Sequence, residues 1–221
     1  MRTVAPSSIV PTTSHEPTVF VVDDDPAMRE SLCWLIESIG LKARAYESAG
    51  AFLGAFDPAW SGCLVVDVRM PGMNGLELHA QLAEKGNALP VLIITGHGDV
   101  PMAVRAMKNG AFDFLEKPFK DQALLERIGQ AISHDQKRRE AMSRDADFQM
   151  RLQSLSPRER QVLDLVVQAR LNKQIAATLD LGAKTVESHR ANVMRKLGAA
   201  TVVELVRMVM EHERNVQDAA T

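Results

Sequence analysis

Between residues 18 and 134, short apolar runs alternate with helix-length segments, and this alternation narrows the fold more than any other feature of the chain. Thr18–Asp23 (TVFVVD), Cys63–Asp67 (CLVVD) and Val91–Thr95 (VLIIT) are continuous apolar runs, the pattern of strands covered on both faces. Lys42–Tyr46 is shorter of apolar residues and alternates, which places it nearer a sheet edge, and Phe112–Leu115 supplies a fifth run. Helices are predicted from Pro26 to about Ile39, Ser48 to Phe56, Gly75 to Glu84, Val100 to Asn109, and Asp121 to about Ser133. Pro26 sits near the first turn of its helix with Asp24 or Asp25 as cap, and Gly40 and Gly110 stand where two helices stop. Strands alternating with helices predict a doubly wound α/β domain with a five-stranded parallel sheet of order 2-1-3-4-5.

From residue 156 the period is helical throughout. Ser156-Pro157-Arg158-Glu159 is a capping box with proline at the first helical position, and Thr201-x-x-Glu204 is a second. Helices over Lys173–Leu179 and Lys184–Leu197 are joined by a tight turn, so the second domain is predicted to be an all-α, four-helix unit built around a helix-turn-helix (HTH). The expected organisation is a disordered Pro/Ser/Thr-rich tail over 1–17, an α/β domain over 18–134, a charged helical linker over 135–154, the HTH domain over 155–213 and a tail over 214–221.

Charge separates the two halves. Residues 1–120 carry 10 basic and 14 acidic groups, whereas residues 156–200 carry 8 basic and 4 acidic. The basic half is a candidate for phosphate backbones. Two cysteines without metal-ligand spacing argue against a disulfide framework or a structural zinc site. No apolar run approaches the ~20 residues of a membrane span, and no signal-peptide core is present, so a cytoplasmic location is expected.

Ligands of open parallel sheets bind at the carboxyl ends of strands, where the strand order reverses. Asp23 and Asp24 close the first strand, Asp67 the third and Thr95 the fourth, and Lys117 follows the fifth. Three converging carboxylates repel one another. A hard divalent cation such as Mg²⁺ relieves that repulsion, and the cation together with Lys117 makes a site suited to an anion.

The motifs VVDDD, VVDVRMPGMNG, ITGHGD and FLEKPF, in that order, resemble the receiver domain of two-component response regulators over about residues 18–134. The resemblance implies that Asp67 is the phosphoacceptor. It also implies that Asp24, Asp67 and the backbone carbonyl of Arg69 ligate Mg²⁺, with Asp23 acting mostly through water. Lys117 would pair with the phosphoryl oxygens, Thr95 would bond the phosphoryl group, and Phe114 at the aromatic switch position would follow inward. Lys117–Pro118 is expected to be cis. Arg69 and His97, two residues after Asp67 and Thr95, occupy positions that in this family influence how long the phosphoryl group survives.

LSPRERQVLDLV, NKQIA, KTVESHRANVMRKLGA and ELVRMV resemble a LuxR-type HTH output domain, and the whole chain is similar to FixJ-type response regulators. An HTH places its second helix in the major groove. By helical spacing Val186, Val193 and Leu197 face the core. Glu187, Ser188 and Ala191 match the family's base-reading positions, and Lys173, Lys184, Thr185, Arg190, Arg195 and Lys196 are expected on phosphates. Ala169 stands where the family usually has glycine and would be strained at positive φ, and Gly182 replaces the usual serine cap.

The resemblance implies a phosphorylation-activated transcription regulator, not an enzyme. Its expected partners are a sensor histidine kinase, double-stranded promoter DNA and a second copy of itself, with RNA polymerase a further candidate. Two other readings are weaker. A receiver serving only as a dimerisation scaffold has no need of the Asp/Thr/Lys set, and a Mg²⁺-dependent phosphohydrolase would need an acid two residues after Asp67, where Arg69 stands.

Overall fold

The computed structural model describes residues 16–86, 89–96 and 100–219. The expectation of a disordered N-terminal tail, beyond its last two residues, and that for His97 lie outside the described residues.

The first unit of the chain, up to Arg139, contains β1 (Thr18–Val22), α1 (Pro26–Glu37), β2 (Lys42–Tyr46), α2 (Ala49–Ala55), β3 (Gly62–Asp67), α3 (Gly75–Glu84), β4 (Val91–Thr95), α4 (Val100–Lys108), β5 (Asp113–Glu116) and the start of α5 (Asp121–Gln153). All neighbouring strands pair in parallel, in the order β2-β1-β3-β4-β5. Successive side chains of a strand point to opposite faces of the sheet, and the core divides accordingly. Phe20, Val22, Leu64, Val66 and Ile93 bury against Phe52 of α2, Leu78 and Leu82 of α3 and Ala106 of α4. Val19, Val21, Val65, Leu92 and Ile94 bury against Leu32 and Ile36 of α1 and Leu124 and Ile128 of α5. Trp60 stacks on Phe20 at a centroid distance of 4.3 Å and closes the first cluster, whereas Trp34 on α1 is 78% exposed.

The second unit, from Glu140, contains the end of α5, then α6 (Pro157–Val167), α7 (Asn172–Leu179), α8 (Ala183–Leu197) and α9 (Val202–Ala219). Val186, Val193 and Leu197 of α8 bury against Val162, Leu163 and Val166 of α6 and Ile175 of α7, as the spacing predicts. The capping box on α6 is formed: Ser156 Oγ accepts from the Glu159 amide at 3.3 Å, and Glu159 Oε2 accepts from the Ser156 amide at 2.8 Å.

Two stretches differ from the sequence reading. Residues 135–154, expected as an exposed helical linker, are helical as far as Gln153 but not exposed throughout. Residues 135–153 contain neither glycine nor proline, so α5 runs on through them to Gln153, and both ends of this stretch are engaged. Asp135 is 1% exposed, accepts from the Gly62 amide at 3.0 Å, and pairs with Arg138 and Arg139 at 2.9 and 2.8 Å. Phe148 and Leu152 bury in the core of the second unit. At the other end of the chain α9 continues to Ala219, where a tail from residue 214 was expected.

Candidate phosphoacceptor site and nucleic-acid interface

The carboxyl edge of the sheet gathers the acidic residues. Val22 lies opposite Val66, Asp67 opposite Ile94 and Thr95 opposite Glu116. Asp23, Asp67, Thr95 and Lys117 therefore emerge at one rim. Lys117 Nζ bridges the two carboxylates, donating to Asp23 Oδ2 at 3.0 Å and to Asp67 Oδ1 at 2.8 Å. The second oxygen of each is also held, Asp23 Oδ1 by the Asp25 amide at 2.9 Å and Asp67 Oδ2 by the Arg69 amide at 2.6 Å. Arg29, one turn into α1, donates to the Asp23 carbonyl at 2.8 Å and holds the loop that carries Asp24.

Gly75 fixes Asp67 from below. It opens α3 directly against β3, and a Cβ built there would lie 2.3 Å from the Asp67 carbonyl oxygen. Only glycine permits that approach. The Lys117–Pro118 peptide is cis, as expected, and the Lys117 amide donates to the Thr95 carbonyl at 2.7 Å.

Burial raises the Asp23 pKa, against the opposing pull of the Asp25 amide and Lys117. Burial pulls Lys117 down, but its bonds to Asp67 and Asp23 outweigh this and hold its pKa above the ordinary lysine value. The buried centre is thus two carboxylates facing one ammonium, with Asp24 exposed beside it, an excess of negative charge. Thr95 is fully buried at the end of β4, and Phe114 is half-buried against the cluster that contains Ala106. Arg69 projects into solvent.

Among the described residues no three or more His, Cys, Asp or Glu side chains are placed together to hold a metal ion. Mg²⁺ does not require such a group. It is usually held by one or two carboxylates, with waters and phosphate oxygens completing its shell, and Asp67 and the exposed Asp24 are carboxylates of that kind at the rim.

On the HTH unit, Lys184, Thr185, Glu187, Ser188, Ala191 and Arg195 of α8 are exposed, as is Lys173 on α7. Two residues expected on phosphates bond to other elements of the unit. Lys196 Nζ donates to Glu159 Oε2 at 2.6 Å and to the Ser154 carbonyl at 3.0 Å. Arg190 Nη1 donates to Asn172 Oδ1. Glu159 is 5% exposed, and the Lys196 and Ser156 bonds hold its pKa down to about 2. Sequence reasoning counted both cations by charge and spacing, and neither signal names an internal partner. The α8 N-cap, Gly182, makes no side-chain capping bond, and Ala169 lies at φ 58°.

The rim and the HTH unit together define a chain in which a receiver sheet is joined to a helix-turn-helix output. Residues 19–129 match the response regulator receiver domain, and residues 153–209 match the luxR family of bacterial regulatory proteins. The chain is 47% identical over 195 residues to nodulation protein W of Bradyrhizobium diazoefficiens, covering 88% of this chain and 86% of that protein. It is 48% identical over 192 residues to the transcriptional regulatory protein FixJ of Azorhizobium caulinodans, covering 87% and 91%. The solved structure of response regulator StyR superposes with a TM-score of 0.81 at 45% identity, covering 89% of this chain and all of that one. Full-length FixJ from B. japonicum superposes with a TM-score of 0.57 at 44% identity, covering 90% and 98%. The chain belongs to the response regulators, with a receiver domain followed by a LuxR-family regulatory domain.

Proposed function

We propose that this chain is a phosphorylation-activated, DNA-binding transcription regulator of the cytoplasm. Asp67 is its phosphoacceptor. A carboxylate oxygen attacks the phosphorus of a kinase phosphohistidine, the N–P bond breaks, and an aspartyl phosphate forms as the imidazole leaves. The bridged Asp67–Lys117–Asp23 geometry carries this reading, because phosphoryl transfer needs mainly in-line positioning and neutralisation of charge. Lys117 pairs with the incoming phosphoryl oxygens, while the Arg69 amide fixes the orientation of the nucleophile. Asp67, Asp24 and the Arg69 carbonyl, with Asp23 beside them, would hold Mg²⁺, which would supply the remaining positive charge.

Thr95 and Phe114 sit where contact with the phosphoryl group repacks the face of α4 and β5. Val104 and Met107 on α4 are 45% and 46% exposed, an apolar surface suited to pairing with a second copy. Paired HTH units then read two half-sites on promoter DNA. Glu187, Ser188 and Ala191 face base edges, and Lys173, Lys184, Thr185 and Arg195 face phosphates.

The test is a mobility shift on promoter duplexes with and without a phosphodonor. Wild type is expected to form an acid-stable, base-labile acyl phosphate and to bind more tightly when it is present. Asp67→Asn is expected to fold, to take up no label and to bind as the unphosphorylated chain does. Labelling of the Asp67→Asn variant equal to wild type would overturn the assignment.

A further inference from the structure

α8 presents two kinds of cation. Lys184 and Arg195 are exposed, whereas Arg190 and Lys196 turn inward. Arg190 binds the side chain of Asn172, the first residue of α7. α7 is short and weakly anchored. It spans eight residues, buries one of them fully, Ile175, and its N-cap is Leu171, whose side chain offers no hydrogen bond, so that only the Gln174 side chain caps its start, accepting from the Leu171 amide at 2.9 Å. Ala176 and Leu179 add only partly buried contacts to that of Ile175, and apolar packing of so small a face fixes the distance of a helix better than its rotation, because dispersion and burial carry no direction. A guanidinium–amide hydrogen bond is directional, and this one ties the N-terminal end of α7 to α8 between Ser188 and Ala191, two of the base-reading positions. The far end of α8 is tied separately, by Lys196 to Glu159 and to the Ser154 carbonyl, and by Arg151 to the Leu197 carbonyl at 3.2 Å.

We propose that Arg190 is a positioning residue for base reading: through Asn172 it sets the rotation of the reading helix against α7, and it is not a phosphate clamp. The inference rests on the DNA-binding reading above. The two roles leave different signatures. A lost phosphate contact weakens binding to all sequences alike and lowers the salt slope by about one, whereas lost positioning removes discrimination between sequences.

The experiment uses the full chain, incubated with acetyl phosphate and Mg²⁺, as wild type, Asn172→Ala, Asn172→Asp, Arg190→Gln, the Asn172→Ala/Arg190→Gln double variant, and Lys184→Ala as the phosphate-contact comparator. The probes are a pool of random-sequence duplexes of about 30 base pairs, long enough for two half-sites, and a duplex selected from that pool by wild type. Both are titrated at several NaCl concentrations, and circular dichroism melting checks each fold. Asn172→Ala and Arg190→Gln are each expected to reduce the selected-to-random affinity ratio about tenfold. Asn172→Ala leaves random-pool affinity and salt slope at wild-type values, the double variant is no worse than either single, and Asn172→Asp, which keeps the acceptor oxygen, retains the ratio. Lys184→Ala lowers both affinities together. Arg190→Gln behaving like Lys184→Ala while Asn172→Ala is silent would overturn the proposal, as would additive losses in the double variant. Wild type that binds no duplex overturns the DNA-binding reading, and this inference with it.

Discussion

At position 169 the backbone adopts φ 58° with an alanine side chain. A Cβ in the left-handed region costs about 1 kcal/mol, and glycine avoids it. Ala169→Gly is therefore expected to stabilise the C-terminal unit by about 0.5–1 kcal/mol, read as a higher denaturation midpoint at unchanged slope. The residue type was legible in the sequence as a departure from the family's turn, while the sign of φ came only with the structure. Glu159 shows a different limit. Its place in a capping box can be read from Ser156-x-x-Glu159, but its bond to Lys196, 37 positions away, cannot. That bond and the Ser156 amide depress the folded-state pKa to about 2, so the group stabilises the fold above its ordinary pKa near 4.5 and loses that contribution as pH falls toward 2. Thermal melts of wild type and Glu159→Gln are expected to differ most near neutral pH and to converge as pH falls from about 5 to about 2. A constant difference across that window would disprove the pairing.

At the scale of elements, the strands and most helices announced themselves, because apolar runs and caps are local signals. β2 proved to be an edge strand for the reason its weak alternation suggested: only one side of it pairs. The carboxyl-edge cluster was equally legible, since strand order brings Asp23, Asp67 and Lys117 together once the sheet is parallel. α5 was the hardest element to bound. Its second half is mostly charged, and the two residues that bury, Phe148 and Leu152, are too sparse to make a periodic face among such neighbours. Their burial predicts that a fragment starting at residue 140 will be markedly more stable than one starting at residue 155. Truncating a buried Phe or Leu typically costs about 2–5 kcal/mol each, so the shorter fragment is expected to lose most of its cooperative melting transition. Equal melting temperatures would show that these contacts contribute nothing.

Across the whole molecule, the proposed chemistry and the proposed recognition fall on separate units. The receiver rim is acidic with a single bridging lysine, whereas the exposed faces of α7 and α8 present Lys173, Lys184 and Arg195. Charge asymmetry along the chain foreshadowed this division, although it could not show that Arg190 and Lys196 bond to Asn172 and Glu159. The N-terminal unit also carries both tryptophans in opposite settings. Trp60 lies against the ring of Phe20 and Trp34 stands in solvent. The chain thereby holds two intrinsic fluorophores with separate reporting ranges. Acrylamide should quench the indole on α1 from the outset, while the stacked one stays blue-shifted and shielded until the sheet itself comes apart.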